Sequence, residues 1–153
     1  MAEPIRIVRI EGRQPSIGRL VEAANQEGLA FVAKTRTEWR NGTNRFDRAG
    51  EGFLVAETAD GGIIGMCGLN VDPFLADPAV GRLRHLYVAP ESRLVGVGRT
   101  LVAACLGLAA TTFDRVRLRT YDPTATAFYR ALGFDAVSEP DATQAISVTS
   151  HAR

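Results

Sequence analysis

The chain has 153 residues, 46% of them apolar and 23% charged, with a formal net charge of +1. That length suits one compact domain with a substantial core. The near-neutral charge argues against a nucleic-acid partner or an acidic tail.

Ile5-Arg6-Ile7-Val8-Arg9-Ile10 alternates and is β-branched, which predicts a first strand. Pro15-Ser16 introduce a helix carrying Ile17, Leu20, Val21 and Ala24, which Gly28 interrupts. Leu29, Phe31 and Val32 begin a second short helix that runs to Trp39. Asn41-Gly42 signals a turn, and residues 41–51 are polar enough for a loop. Residues 52–57 and 63–71 read as a hairpin turned at Asp60-Gly61-Gly62. Asp72-Pro73 and Asp77-Pro78 bracket a loop before a strand over 82–88. The helix after Gly98 shows Val97, Leu101, Cys105 and Leu108 on one apolar face. Residues 116–120 alternate as a strand, and Thr124 to Leu132 is a short helix with Gly133 as its left-handed cap. Residues 134–137 and 145–148 close the chain as two strands joined across Pro140-Asp141.

Cys67 and Cys105 each sit among apolar neighbours and outside any C-x-x-C, so they read as small buried hydrophobes and no metal is expected. Met1-Ala2-Glu3-Pro4 lacks a signal-peptide pattern, and no apolar run reaches membrane-spanning length. A soluble cytoplasmic protein with no membrane partner is the expectation.

The order of elements predicts a mixed α+β fold, with a mostly antiparallel sheet of about seven strands flanked by about four helices. The step from strand 82–88 through the helix to strand 116–120 has the length of a right-handed parallel βαβ crossover. Ligands in such sheets sit beyond the carboxyl ends of parallel strands, here at residues 86–99. A strand that stops at Pro90 and turns through Gly96 and Gly98 into a helix presents free N–H groups and a dipole end suited to a phosphate.

Arg93-Leu94-Val95-Gly96-Val97-Gly98 resembles the R/Q-x-x-G-x-G/A pyrophosphate loop of the GCN5-related N-acetyltransferases (the GNAT family). Leu83-Arg84-His85-Leu86-Tyr87-Val88-Ala89-Pro90 is similar to that family's L-x-x-L-Y-V-x-P strand. Ala125 to Phe134 resembles its A-x-x-F-Y-x-x-x-G-F segment. The resemblance implies a single N-acetyltransferase domain over residues 1–153. It implies transfer of an acetyl group from acetyl-CoA, as co-substrate, to a primary amine of a small molecule by direct attack. A protein or peptide acceptor, or a non-catalytic acyl-CoA-binding or sensor protein of the same fold, are the alternatives. A dinucleotide-binding domain is disfavoured, because Leu101 stands where its third glycine belongs.

By the same resemblance, Leu86, Tyr87, Val88, Arg93, Leu94, Val95, Gly96, Val97, Gly98, Arg99, Thr100 and Asp122 would bind the cofactor. Tyr129 would protonate the leaving thiolate. Trp39, Arg45 and Phe46 would wall the acceptor pocket, and residues 145–148 are a candidate edge for a homodimer. The chain departs from the family pattern at Leu94-Val95, where glycine and a basic residue are common, and at Asp122, where asparagine is common. Arg82 stands where a glutamate base often precedes the strand. His85, Glu57, Asp72 and Glu139 are then the remaining base candidates, unranked by sequence, and water could serve instead.

Overall fold

In the computed structural model, which describes residues 4–148, the alternating segments pair into one seven-stranded sheet of order β1-β2-β3-β4-β5-β7-β6. Met1–Glu3 and 149–153, included in the single-domain expectation, lie outside the described residues. The strands are β1 (Ile5–Arg9), β2 (Gly52–Thr58), β3 (Ile63–Val71), β4 (Val80–Val88), β5 (Arg115–Leu118), β6 (Asp135–Glu139) and β7 (Ala142–Ser147). The helices are α1 (Gly18–Gln26), α2 (Phe31–Asn41), α3 (Val97–Ala109) and α4 (Pro123–Ala131). All strand pairs are antiparallel except β4 and β5, the two joined through α3. Among the described residues no helix is long and apolar enough to cross a membrane.

The period-two pattern buries both faces of the sheet. On one face Phe53, Val55, Met66 and Tyr87 meet Leu20, Val21 and Ala24 of α1 and Val32 and Trp39 of α2. On the other face Leu54, Ala56, Cys67 and Leu83 meet α3, with Phe128 and Tyr129 of α4 at the margin. Both cysteines are buried and unbridged. The buried stripe of α3 is broader than its predicted face. Val102 and Ala109 join Val97, Leu101 and Cys105, while Leu108 is only partly buried. A helix that packs across β2, β3 and β4 uses both flanks of its stripe.

Two of the boundaries that differ from the sequence reading bear on the site. β4 begins at Val80 rather than 82, because Val80, Gly81 and Arg82 form the parallel ladder with Arg115, Val116 and Arg117. β7 begins at Ala142, directly after the Pro140-Asp141 turn in which Asp141 takes φ 63°. The candidate dimer edge at 145–148 is corrected as well. β7 is hydrogen-bonded on both sides, between β5 and β6, so the sheet's edges are β1 and β6.

Side chains on opposed strands meet face to face. Arg82 and Arg117 are register partners in the parallel ladder, and both are buried. Their repulsion is countered by Asp72, also buried. Its Oδ2 accepts from Arg117 Nε at 2.8 Å and from Arg82 Nη1 at 3.4 Å. Arg82 Nη2 also donates to the Asp141 carbonyl at 2.7 Å, and Arg117 Nη1 to Glu139 and the Pro140 carbonyl, both at 3.1 Å. Burial raises the Asp72 carboxyl, but the two guanidinium groups and the Phe74 amide outweigh it and hold the group below its usual range. Removing the acid while leaving two buried cations is costly. Asp72→Ala should therefore lower the unfolding free energy in urea by about 3–5 kcal/mol. A loss within experimental error would mean that water reaches both guanidinium groups.

Candidate functional site

β4 keeps β5 as a neighbour only as far as Arg82. Beyond it the two strands diverge, and among the described residues the side of 83–88 away from β3 has no strand partner. Along the same stretch β4 is bulged. Gly68 pairs with Arg84 and Met66 with Tyr87, so two residues of β4, His85 and Leu86, stand opposite Cys67 alone. His85 absorbs the extra residue in the left-handed region, at φ 62°. A wedge-shaped opening, lined on one side by unpaired backbone, follows from these two departures from regular pairing.

The chain turns at the top of this opening. Residues 90–92 form one 3-10 turn, and Leu94 and Gly96 then adopt φ 67° and φ 89° before α3 starts at Val97. Gly96 is the N-cap residue and takes its left-handed conformation without a Cβ penalty. Leu94 occupies the same region at a cost of about 1–2 kcal/mol, and its side chain is fully exposed. The N–H groups of Leu94, Val95 and Gly96 make no hydrogen bond among the described residues, and those of Val97, Gly98 and Arg99 belong to the first turn of α3. Left-handed residues interspersed with others in this way aim successive amides into one concavity, an anion-binding nest. A Cβ on Gly98 would touch the Phe128 ring at 3.5 Å and Val88 at 3.7 Å, so this glycine faces the cleft between β4 and α4. Thr100 hydroxyl donates back to the Gly96 carbonyl at 2.9 Å, and Arg99 is exposed.

Arg93 is engaged already. Its Nη1 and Nη2 donate to both carboxylate oxygens of Glu27, at 2.8 and 2.7 Å, and its Nε donates to the Val88 carbonyl at 2.9 Å. The guanidinium carbon stands 5.4 Å from the centre of the Tyr87 ring, and the Tyr87 hydroxyl donates to Glu27 at 2.5 Å. The Arg93 and Tyr87 bonds pull the Glu27 carboxyl down to about 2. Burial and the Glu27 bond push the Tyr87 phenol up to about 12. Glu27, just past the end of α1, carried no sequence motif and was not among the expected site residues.

Asp122 serves as the N-cap of α4, its carboxylate accepting from the amides of Thr124 and Ala125, each at 3.3 Å. That accounts for an acid at this position. Tyr129 lies on α4 between Phe128 and Phe134, with ring centres 5.1 and 5.4 Å away. Its hydroxyl has no hydrogen-bond partner among the described residues, and it is not sealed from solvent. Burial, with the Cys67 and Cys105 sulfurs nearby, pushes the phenol well above its usual value and keeps it protonated.

The expected acceptor residues sit elsewhere. Trp39 and Phe46 are buried in the core, and Arg45 donates to the carbonyls of Trp39 at 2.7 Å and Arg40 at 3.3 Å, closing the end of α2. All three line a cavity of about 450 Å³ beyond the end of β1, together with Arg9 to Gln14, and no residue of β4, the phosphate-type loop or α4 borders it. Only Phe46 also reaches the bulge, 6.1 Å from the His85 ring. Among the base candidates, Asp72 is locked in the buried cluster with Arg82 and Arg117. Glu57 is paired with Arg6 across the far edge, and Glu139 with Arg115 and Arg117. His85 remains. Its Nδ1 meets the Thr35 hydroxyl of α2, and its ring lies 6.1 Å from that of Phe31.

The sequence pattern of the Acetyltransferase (GNAT) family matches residues 18–134. No curated protein sequence matches the chain. Among solved structures, a candidate acetyltransferase from Exiguobacterium sp. 255-15 is similar at 29% identity and TM-score 0.82, over 94% of this chain and 93% of that one. The fold is also shared with yncA, a candidate acetyltransferase from Salmonella typhimurium solved with its cofactor acetyl-CoA (14% identity, TM-score 0.69, 97% and 96% of the chains). A GNAT superfamily phosphinothricin acetyltransferase from Sinorhizobium meliloti, in complex with acetyl-CoA, is similar at 17% identity and TM-score 0.70, over 97% and 90%.

Burial, helped by the charges of Arg84 and Lys34, pushes His85 down to about 4 from 6.5. Between those values the unfolded chain binds a proton that the folded chain refuses, so stability falls as pH is lowered through this window. The contribution reaches at most about 3 kcal/mol. Urea unfolding at pH 7, 5 and 4 should show the wild type losing more stability than His85→Asn. Parallel losses would show that His85 is solvated in the native state.

Proposed function

The chain belongs to the GNAT acetyltransferase family, and on that premise we propose that it carries an acetyl group from acetyl-CoA to the primary amine of a small-molecule acceptor by direct attack. The observation that supports this reading most is the nest of unpartnered amides at residues 94–99, placed at the mouth of the wedge where β4 leaves β5.

The residues present fit such a ligand. A diphosphate needs several inward-pointing donors and close backbone approach, and the loop offers the amides of Leu94 to Arg99 with glycine at 96 and 98. The side chains of Leu94 and Val95, which depart from the family pattern, point outward and are exposed, so they leave those amides clear. Arg99 supplies a free cation nearby, and Arg93 supplies one once it is released from Glu27. The open side of β4 at Leu86 to Val88 can pair with the amide groups of an extended arm, in the manner of an added strand.

Acetyl-CoA, when bound, supplies an activated acetyl group as its thioester. The chain's own contribution is positional and electrostatic. The bulge at His85-Leu86 turns a backbone N–H out of the β3 ladder, where it can polarise the thioester carbonyl. Tyr129, held protonated by burial, can give its hydroxyl proton to the departing sulfur. Holding amine and carbonyl together within the wedge accounts for a further large share of the acceleration.

Thermal unfolding tests the binding half of this reading. Acetyl-CoA and CoA at 100 times their dissociation constants should each add about 2.7 kcal/mol, with NAD and ATP as negative controls. No selective rise would remove the loop as a cofactor site. Thiol release in an amine panel separates an enzyme from a non-catalytic acyl-CoA binder. A Cβ at Gly98 makes only ordinary contacts, so Gly98→Ala should keep the ligand-free melting point while weakening the acetyl-CoA-induced rise. Tyr129→Phe should lower kcat by about 10–100-fold with little change in acetyl-CoA affinity. Unchanged kcat would take Tyr129 out of the mechanism.

A further inference from the structure

Of the base candidates offered by the sequence, the carboxylates Asp72, Glu57 and Glu139 are each held by arginine, and His85 is the one that is not. We propose that His85 is the general base of the transfer, with Nε2 as the atom that takes the proton and Thr35 as the residue that positions it. This inference rests on the acetyl-transfer reading above.

The contacts of Thr35 point to which ring nitrogen is bare. The Thr35 hydroxyl lies 2.9 Å from the Phe31 carbonyl, one turn earlier in α2, and also meets His85 Nδ1. A hydroxyl has one proton to give. The carbonyl can only accept, so both contacts are hydrogen bonds together only when Thr35 donates to Phe31 and accepts from Nδ1–H. In a neutral imidazole this leaves Nε2 with the lone pair. Nε2 has no hydrogen-bond partner among the described residues and is not sealed from solvent. Phe31 and Phe46, each with its ring centre 6.1 Å away, flank the imidazole and fix its plane.

His85 is the residue that takes the left-handed conformation at the β4 bulge, and strained backbone of this kind persists where the surroundings hold it in place. The bulge also lies beyond the last rung that β4 shares with β5. Base and carbonyl-polarising amide are therefore neighbours in the chain, on one rigid distortion. The charged groups acting on the ring are Arg84 of β4 and Lys34 of α2, while Thr35, Phe31 and Phe46, which pack against it, are neutral. Both charges disfavour the imidazolium. The ring thus stays neutral at pH 7 and has the strength of a carboxylate base rather than of a free histidine.

The amine nitrogen forms the C–N bond with its lone pair, and its surplus proton passes to Nε2. The electron pair of the breaking C–S bond goes to sulfur, which receives the Tyr129 proton. His85 then returns its proton to solvent and Tyr129 recovers one, leaving the amide and the free thiol.

The test uses the full chain and an amine that supports thiol release. His85→Asn keeps a residue type tolerant of the left-handed region and removes the base. It should preserve the acetyl-CoA-induced rise in melting point and lower kcat about 100-fold at pH 7. Between pH 6 and 8 its kcat should climb with pH, while that of the wild type stays flat. Thr35→Val should lower kcat by about 10-fold by freeing the ring, and Thr35→Ser should restore it. The chain has two histidines, so nitrogen-15 spectra can read the His85 tautomer directly, with Nδ1 protonated and Nε2 bare. Wild-type turnover that His85→Asn leaves within twofold, or an Nε2–H tautomer, overturns the base role alone. Acetyl-CoA binding with no thiol release from any amine overturns the acetyl-transfer reading and the base role with it.

Discussion

Two buried guanidinium groups facing each other across a parallel pair of strands would be repelled apart without Asp72 between them. This triad sits on the last rung that β4 and β5 share. Below it the strands are zipped by backbone hydrogen bonds, and above it they separate. The width of the wedge, the exposure of the β4 backbone and the placing of the bulge all follow from where the pairing stops. The same cluster ties the Pro140-Asp141 turn to β4 through Arg82 and to β5 through Arg117, so the β6–β7 hairpin is anchored to the wedge's vertex. A buried ionic cluster is weak evidence of net stability, but a cation–anion–cation arrangement has one workable register, and here register is what matters.

From that vertex the two sheet faces take separate duties. Helices α3 and α4 bring the amide nest, the Gly98 surface and Tyr129 to one side of the wedge. Helix α2 brings Thr35 and Phe31 against His85 on the other. The Tyr129 phenol and the His85 imidazole thus sit on opposite faces of the sheet, in environments that both favour the uncharged form. Burial is the leading cause in each case. It keeps a phenol protonated and an imidazole bare.

The sheet and helices were legible because their signals are local. β-branched alternation marked β1, Asp60-Gly61-Gly62 turned the β2–β3 hairpin, and apolar spacing marked α3. The loop at 93–98 was legible by its glycines. What the sequence left open depends on contacts between distant segments. Nothing local shows that Glu27 will reach Arg93, or that Asp122 spends its charge on the amides of α4 rather than near a ligand. Trp39, Arg45 and Phe46 lie in the right stretch of chain, but their packing turns Trp39 and Arg45 to a different cavity. The face of His85 could not be deduced from alternation, because a bulge resets alternation at that very residue. Leu94 stands where glycine is common in the family pattern, and it adopts the left-handed conformation a glycine would favour.

The pairing of Arg93 with Glu27 has a kinetic consequence. An ion pair at contact distance has little field beyond its own dimensions, and the chain as a whole carries a formal net charge of only +1. A polyanionic ligand approaching from solution therefore meets little long-range attraction and gains no large steering advantage in its rate of encounter. Recognition is deferred to contact, where amide dipoles act over a few ångströms and ionic strength screens them weakly. Such a site discriminates by shape and donor geometry more than by charge.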